Sequence, residues 1–330
     1  MTRSWYAFLL ALAFAPLGCE PVEAPAEAVP FSAERVHGQL GQDVGMTRRW
    51  SDYVGSTPMT STERAIETAT GEWAVDLLSL NGKPVDQITD PDAQVSAAKL
   101  GKKLDGGFGR YAMRGRDFRI RNWDLFVVNY GWSLISSNTT VAGRSVHVAD
   151  VWPLNPGGPK YTVWVDQETG LTLKALEFLP TGELATEMEV LALEWNPDLT
   201  GVELHAPLPK TAIDPATIPS LVPFKTFHLS YVPAGFALLS SSLGAVGTGT
   251  ALTQTYTDGV QELVLAQYAD QTPSPHVSAI DAGTPIAVHF TADGARVQSI
   301  FSVLGTTIHV ASKLTTDESM NVIESLTPNP

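Results

Sequence analysis

Cysteine is almost missing. The chain of 330 residues has one, Cys19, so no disulfide can form within it and the folded body has no Cys–His pair for nucleophilic chemistry. Basic residues are also scarce: 21 Lys and Arg stand against 35 Asp and Glu, a net charge of −14. So acidic a chain is a poor partner for the phosphate backbone of a nucleic acid. The seven histidines (38, 147, 205, 228, 276, 289 and 309) include no pair at metal-ligand spacing. A Gly-rich phosphate loop is missing as well. GAVGTGT at 244–250 has no P-loop lysine and no strand–turn–helix context, and no Gly-x-Ser-x-Gly elbow occurs. These absences argue against catalysis, a metal site and a cofactor. The charge-free stretch Leu229–Thr257 is rich in Gly, Ser and Thr and contains Pro233, a mixture that suits strands and turns rather than a spanning helix.

What is present begins at the N-terminus. Thr2-Arg3-Ser4 precedes an apolar run of thirteen residues, Trp5–Leu17, and Gly18 then precedes Cys19. The run is shorter than the ~20 residues of a membrane-spanning helix and has the layout of a secretory signal. A small residue directly before the lone cysteine predicts a bacterial lipoprotein cut after Gly18, with Cys19 carrying the lipid. Pro16 and Leu17 depart from the preferred residues at that cut. The Pro/Ala/Glu-rich stretch EPVEAPAEAVP (20–30) cannot bury a core and reads as a tether. The expected organisation is a signal peptide at 1–18, lipidated Cys19 and tether at 19–32, a first domain at 33–200, a Pro-rich linker at 201–223 and a second domain at 224–330.

Charge is unevenly spread. Eight of the 21 basic residues fall between Lys99 and Arg121, and only seven follow from Arg144 to the end. Arg110, Arg114, Arg116, Arg119 and Arg121 are therefore candidates for an anionic ligand; the plainer reading is a solvated loop and strand face.

The middle of the chain alternates with period two. In KYTVWVD (160–166), Tyr161, Val163 and Val165 share one face, Thr162 and Trp164 the other. The turns QETG and PTGE separate LTLKALEFL and LATEMEVLALEW, which gives an antiparallel meander that needs a cover on its apolar face. STERAIETAT (61–70) fits a capped helix or a Thr-rich strand equally well. Residues 196–223 hold six prolines and little alternation. Beyond them, hairpins are expected at Asp258-Gly259 and Asp293-Gly294, and a helix at 315–326 with Thr315 and Glu318 spaced as a capping box.

Several segments, taken in order, resemble the MucB/RseB periplasmic regulators of the envelope-stress sigma factor. They are LLSLNGKPVDQI (77–88), the long stretch VAGRSVHVADVWP to ELATEMEVLAL (141–193), YVPAGFAL (231–238) and YTDGVQELVLAQY (256–268). The resemblance implies an α+β fold: a curved antiparallel half-barrel with helices, similar to the lipoprotein carriers LolA and LolB, followed by a smaller C-terminal α/β domain. It implies an apolar concave face that takes acyl chains, for which Trp123, Phe126, Trp132, Trp164 and Phe178 are the aromatic candidates; simple core packing is the plainer role for any one of them. It implies non-catalytic binding of the periplasmic domain of an anti-sigma factor, loosened by lipid, lipopolysaccharide or lipoprotein acyl chains, in a protein lipid-anchored in the periplasm to the inner or outer membrane. A LolB-like lipoprotein receptor in the outer membrane is the alternative, and a surface lipoprotein that reuses the fold is a third reading. The second domain, which simple carriers lack, favours the regulator.

Overall fold

The structure is a computed structural model that describes residues 30–32, 41–54, 58–91, 93–94, 97–98, 117–205, 213–214, 216–246, 249–269, 291–293 and 296–329. Nine strands make the first sheet: β1 (Val44–Asp52), β2 (Met59–Glu67), β3 (Trp73–Leu80), β4 (Lys83–Pro84), β5 (Tyr130–Val141), β6 (Arg144–Pro153), β7 (Lys160–Asp166), β8 (Thr172–Phe178) and β9 (Leu184–Trp195). Their order is β4-β3-β2-β1-β9-β8-β7-β6-β5, antiparallel at every pairing. The ambiguous segment at 61–70 is thus largely a strand, β2, held between β1 and β3. Asn81 and Gly82, both at positive φ, turn β3 into β4.

Alternation is clear in β7 and β8, where Tyr161, Val163, Leu173 and Ala175 are buried between less buried neighbours. β6 is buried along both faces from Val146 to Ala149, and its period is correspondingly lost. Irregular register interrupts the ladders at Thr47/Arg48, Thr62/Glu63, Leu134/Ser136, Trp164/Val165 and Glu177/Phe178. Each bulge adds local twist and bend. The sum is a strongly curled sheet: β5, four strands from β9 in the ladder, comes back into contact with it, and the Arg144 guanidinium lies 5.7 Å from the Trp195 ring centre. The curl stays open, because β4 and β5 do not pair.

Helix α1 (Trp123–Asn129) lies on the concave side. It begins where the Asn122 side chain accepts a hydrogen bond from Leu125 N at 3.0 Å, and its Phe126 is packed among Tyr130, Tyr161, Val163 and Ala149. A short helix α2 (Ile218–Leu221) sits in the Pro-rich stretch. The second body has strands β10 (Phe227–Leu229), β11 (Ala237–Val246), β12 (Gly249–Thr257), β13 (Glu262–Ala269), β14 (Thr291–Asp293), β15 (Arg296–Val303), β16 (Thr306–Ser312) and β17 (Leu326–Pro328). β11-β12-β13-β16-β15-β14 form an antiparallel sheet; β10 and β17 form a two-stranded one. The fully buried Gln267 side chain accepts from Phe227 N and donates to Phe227 O, at 2.7 and 2.9 Å, and so fastens β10 to the larger sheet. Helix α3 (Thr316–Glu324), capped by Thr315, packs Val322 and Ile323 onto Leu263, Leu265, Ile308 and Val310. Both expected hairpins are present, and the C-terminal helix forms but ends at Glu324, with Leu326 already in β17.

His309 on β16 shares a 2.7 Å hydrogen bond with the Tyr268 hydroxyl, and burial pushes its imidazole down to about 4. The unfolded chain takes up this proton near 6.5, so the stability His309 confers is full above that pH and is lost as the pH falls through about 4. Urea unfolding between pH 7 and 4 should therefore show an acid loss that His309→Gln, which keeps a hydrogen bond to Tyr268, reduces by up to ~3 kcal/mol. Identical pH slopes in the two proteins would clear His309.

Candidate functional site

The concave face of the nine-stranded sheet is the candidate site. Its floor is aliphatic: Ala149 and Val151 on β6, Val163 and Val165 on β7, Ala175 on β8. Over this floor lies a connected set of rings. Phe126 stacks on Tyr130 with centroids 5.6 Å apart and meets Trp123 at 5.7 Å; Phe118 meets Tyr161 edge-on at 5.0 Å. Phe31, from the end of the predicted tether, is 6.2 Å from Phe118, 5.4 Å from Phe126 and 5.8 Å from Trp132.

Three ion pairs hold the segment 117–121 across the face. Arg48, on β1, bonds Asp117 at 2.5 Å and Glu63 on β2 at 3.3 Å. Burial works against its charge, but Asp117 and then Glu63 outweigh that and keep Arg48 above its ordinary pKa. Arg119 forks onto both oxygens of Glu67, at 3.0 and 2.7 Å, and Glu67 raises its pKa. Arg121 pairs with Glu262 of β13 at 2.9 Å and also donates to the Val260 carbonyl.

Arg121 is thereby one of several contacts that bring the β12–β13 turn, Asp258–Gln261, onto the first sheet. Its backbone N–H donates to Gly259 O at 2.7 Å. The Tyr130 hydroxyl donates to Asp258 Oδ2 at 2.7 Å, and Asn129 Nδ2 donates to Asp258 O at 3.0 Å and Gly235 O at 2.9 Å. Val260 and Gln261 N–H groups donate to Asp258 Oδ1, and the Val260 side chain joins the floor cluster. Burial pushes the Asp258 carboxyl up, against the pull of Tyr130, these two N–H groups and Arg121. Burial, and then the Asp258 charge, raise the Tyr130 hydroxyl. Elsewhere Lys313, just after β16, bonds Glu177 on β8, with both side chains buried and the ammonium 5.8 Å from the Tyr161 ring centre.

The structure brings Trp123, Phe126 and Trp132 together in this cluster. Trp164 and Phe178 stand on the opposite face of their strands. Trp164 is opposite Lys174, whose ammonium lies 5.4 Å from its ring centre and 2.7 Å from Glu187; Phe178 is opposite Lys160. Arg119 and Arg121 are committed to Glu67 and Glu262 rather than held open for a ligand. Cys19, Arg110, Arg114 and Arg116 lie outside the described residues. The residues that sequence reasoning missed are Phe31, Phe118, Tyr130 and the buried Arg48, Glu63 and Lys313. Phe31 left one trace, as the only aromatic between Cys19 and Arg35. Among the described residues, no group of three His, Cys, Asp or Glu is placed to hold a metal ion, and no helix is long and apolar enough to cross a membrane. The arrangement offers a lined apolar face and a docking turn.

No protein-family model matches the chain, and no curated protein sequence matches it. Solved structures do. The chain is similar to MucB in the Pseudomonas aeruginosa MucA/MucB complex, with a TM-score of 0.50 and 16% identity over 90% of this chain and 97% of that one. It is similar to MucB in a second complex, with the periplasmic part of MucA, at a TM-score of 0.50, 15% identity and the same coverage. A structure of MucB alone gives a TM-score of 0.51 and 14% identity over 90% and 96%. The chain therefore has the MucB fold.

Gly259 is where the docking turn tolerates no side chain. Its φ is +110°, and a Cβ there would stand 2.4 Å from Phe126 N and 2.8 Å from Phe126 Cα, both backbone atoms of α1. Gly305, at φ +75°, has nothing within 4 Å. Gly305→Ala should cost ~1–2 kcal/mol of backbone strain, whereas Gly259→Ala should cost ~3 kcal/mol or more through strain plus loss of the docked turn. Equal losses in chemical denaturation would show that the turn is not held against α1.

Proposed function

We propose that this chain is a non-catalytic envelope-stress regulator: a lipid-anchored periplasmic protein that binds the periplasmic region of a membrane anti-sigma factor and responds to a lipid or lipoprotein ligand. The observation that carries the reading is the extent of the likeness to MucB, which spans 97% of that chain and so both sheets, in a structure where MucB is bound to MucA. The first domain (33–200) would supply the apolar face and the second (224–330) part of the clasp, with 201–223 linking them. The docked turn supports a two-position device, because its described contacts with the first sheet are a few polar groups and one Val. A ligand that favours the opened arrangement would weaken the partner by its differential affinity for the two states. Cys19 would hold the molecule at a membrane, with the several acyl chains of such an anchor making attachment stable.

The test is to release the intact lipoprotein from native membranes in mild detergent after brief crosslinking and to identify what accompanies it by mass spectrometry. A single-span protein with a cytoplasmic sigma-binding domain is the expected partner, and Cys19 should carry diacylglycerol. Recovery of other lipoproteins and sorting components without such a protein would overturn the regulator and favour a LolB-like receptor.

A further inference from the structure

The aromatic cluster on the concave face contains one ring that neither the sheet nor α1 supplies. Phe31 belongs to no strand or helix, yet it is only 4% exposed, and the adjacent Pro30 is buried as well. Three rings wall it in, Phe118, Phe126 and Trp132, two of them edge-on. Those walls have their own supports. Phe126 is set by α1 and Trp132 by β5, while Phe118 lies between Asp117, bonded to Arg48, and Arg119, bonded to Glu67. Withdrawal of Phe31 would therefore leave a slot with aromatic walls and an aliphatic floor.

The energetics favour exchange over permanent packing. The gain from burying one Phe is of the same order as the entropy lost when two or three backbone residues are ordered. The burial of Phe31 therefore only about offsets the cost of ordering the backbone around it, so another apolar occupant can contest its place. Phe31 also stands twelve residues after Cys19, so the chain between them reaches at most ~40 Å.

We propose that Phe31 is a cis-acting plug: it occupies the slot that an acyl chain would enter, and an entering chain expels it and frees the tether. This rests on the reading of the concave face as an acyl-binding surface. The rings that grip Phe31 edge-on take a methylene chain equally well, because dispersion and water exclusion, rather than directed hydrogen bonds, hold either occupant. Ligand entry at the cavity would thus be coupled to the length of free chain between the membrane and the first domain. Competition within the chain lowers apparent affinity by the fraction of time the slot is open.

The experiment uses the whole chain from residue 19 with Cys19→Ser, so that no detergent competes, and a dansyl-labelled undecanoic acid as the probe. Phe31→Ala should bind the probe about five- to tenfold more tightly than the parent, as expected for a slot open 10–20% of the time. Phe31→Leu, which keeps the slot filled, should stay within about twofold of the parent. Saturating unlabelled undecanoic acid should speed proteolytic cleavage of the parent chain before residue 41 severalfold, a readout that needs no variant to fold. Equal probe affinity for parent and Phe31→Ala, or cleavage indifferent to the fatty acid while the probe still binds, overturns the plug and leaves the acyl-binding surface standing. No probe binding by any of the three proteins overturns that surface and the plug with it.

Discussion

A buried carboxylate, Asp258, has to be satisfied, and the way it is satisfied joins the two bodies. Three of its hydrogen bonds come from within its own turn, from the Val260 and Gln261 N–H groups and the Gln261 side chain; the fourth comes from Tyr130 on the other sheet. Asn129 adds a bond to its carbonyl, and Arg121 clamps the far side of the turn through Glu262 and Val260. Because the charged form is costly without these partners, the turn has few places to rest. The bare backbone of Gly259 then lets it lie flat against α1. The position of α1, and with it of Phe126 and the ring cluster, is fixed by the same contacts.

The buried ion pairs act in a related way. Arg48 with Glu63 and Asp117, and Lys313 with Glu177, contribute little net stability after desolvation, but each leaves an uncompensated charge if its partner moves. Such pairs penalise misregistered alternatives more than they stabilise the observed one. They fall at the joints that need it: Arg48 spans β1, β2 and the segment over the ring cluster, while Lys313 and Glu177 span the two sheets.

Much of the architecture was legible in the sequence because it is local. Period-two alternation at 160–178, Gly-containing turns and the Asp-Gly and Asn-Gly dipeptides set the meander and the hairpins. The strand at 61–67 was not, since its Thr-rich alternation reads as either element until β1 and β3 flank it. The site was half legible. Trp164 and Phe178 have the residue type for a lining, but the alternation of β7 already puts Trp164 on the face away from Val163. Arg119 and Arg121 look like free charge in the sequence because their partners are remote in it: Arg119 lies 52 residues from Glu67, and Arg121 bonds the carbonyl of Val260, 139 residues on. No local pattern encodes such pairings, and Phe31 gains its meaning only once a cage closes round it.

The open curl leaves two strand edges, and they differ. β4 is two residues long and ends in Pro84, which has no N–H to offer a neighbour. β5 is twelve residues long with Leu134 and Ile135 exposed, which by itself is a template for another copy to zip onto. Its register against β6 slips twice, at Leu134/Ser136 and Ser136/Thr139, so its outer rim cannot present an even row of donors and acceptors. The irregularities that curve the sheet therefore also keep crowded copies from polymerising edge to edge.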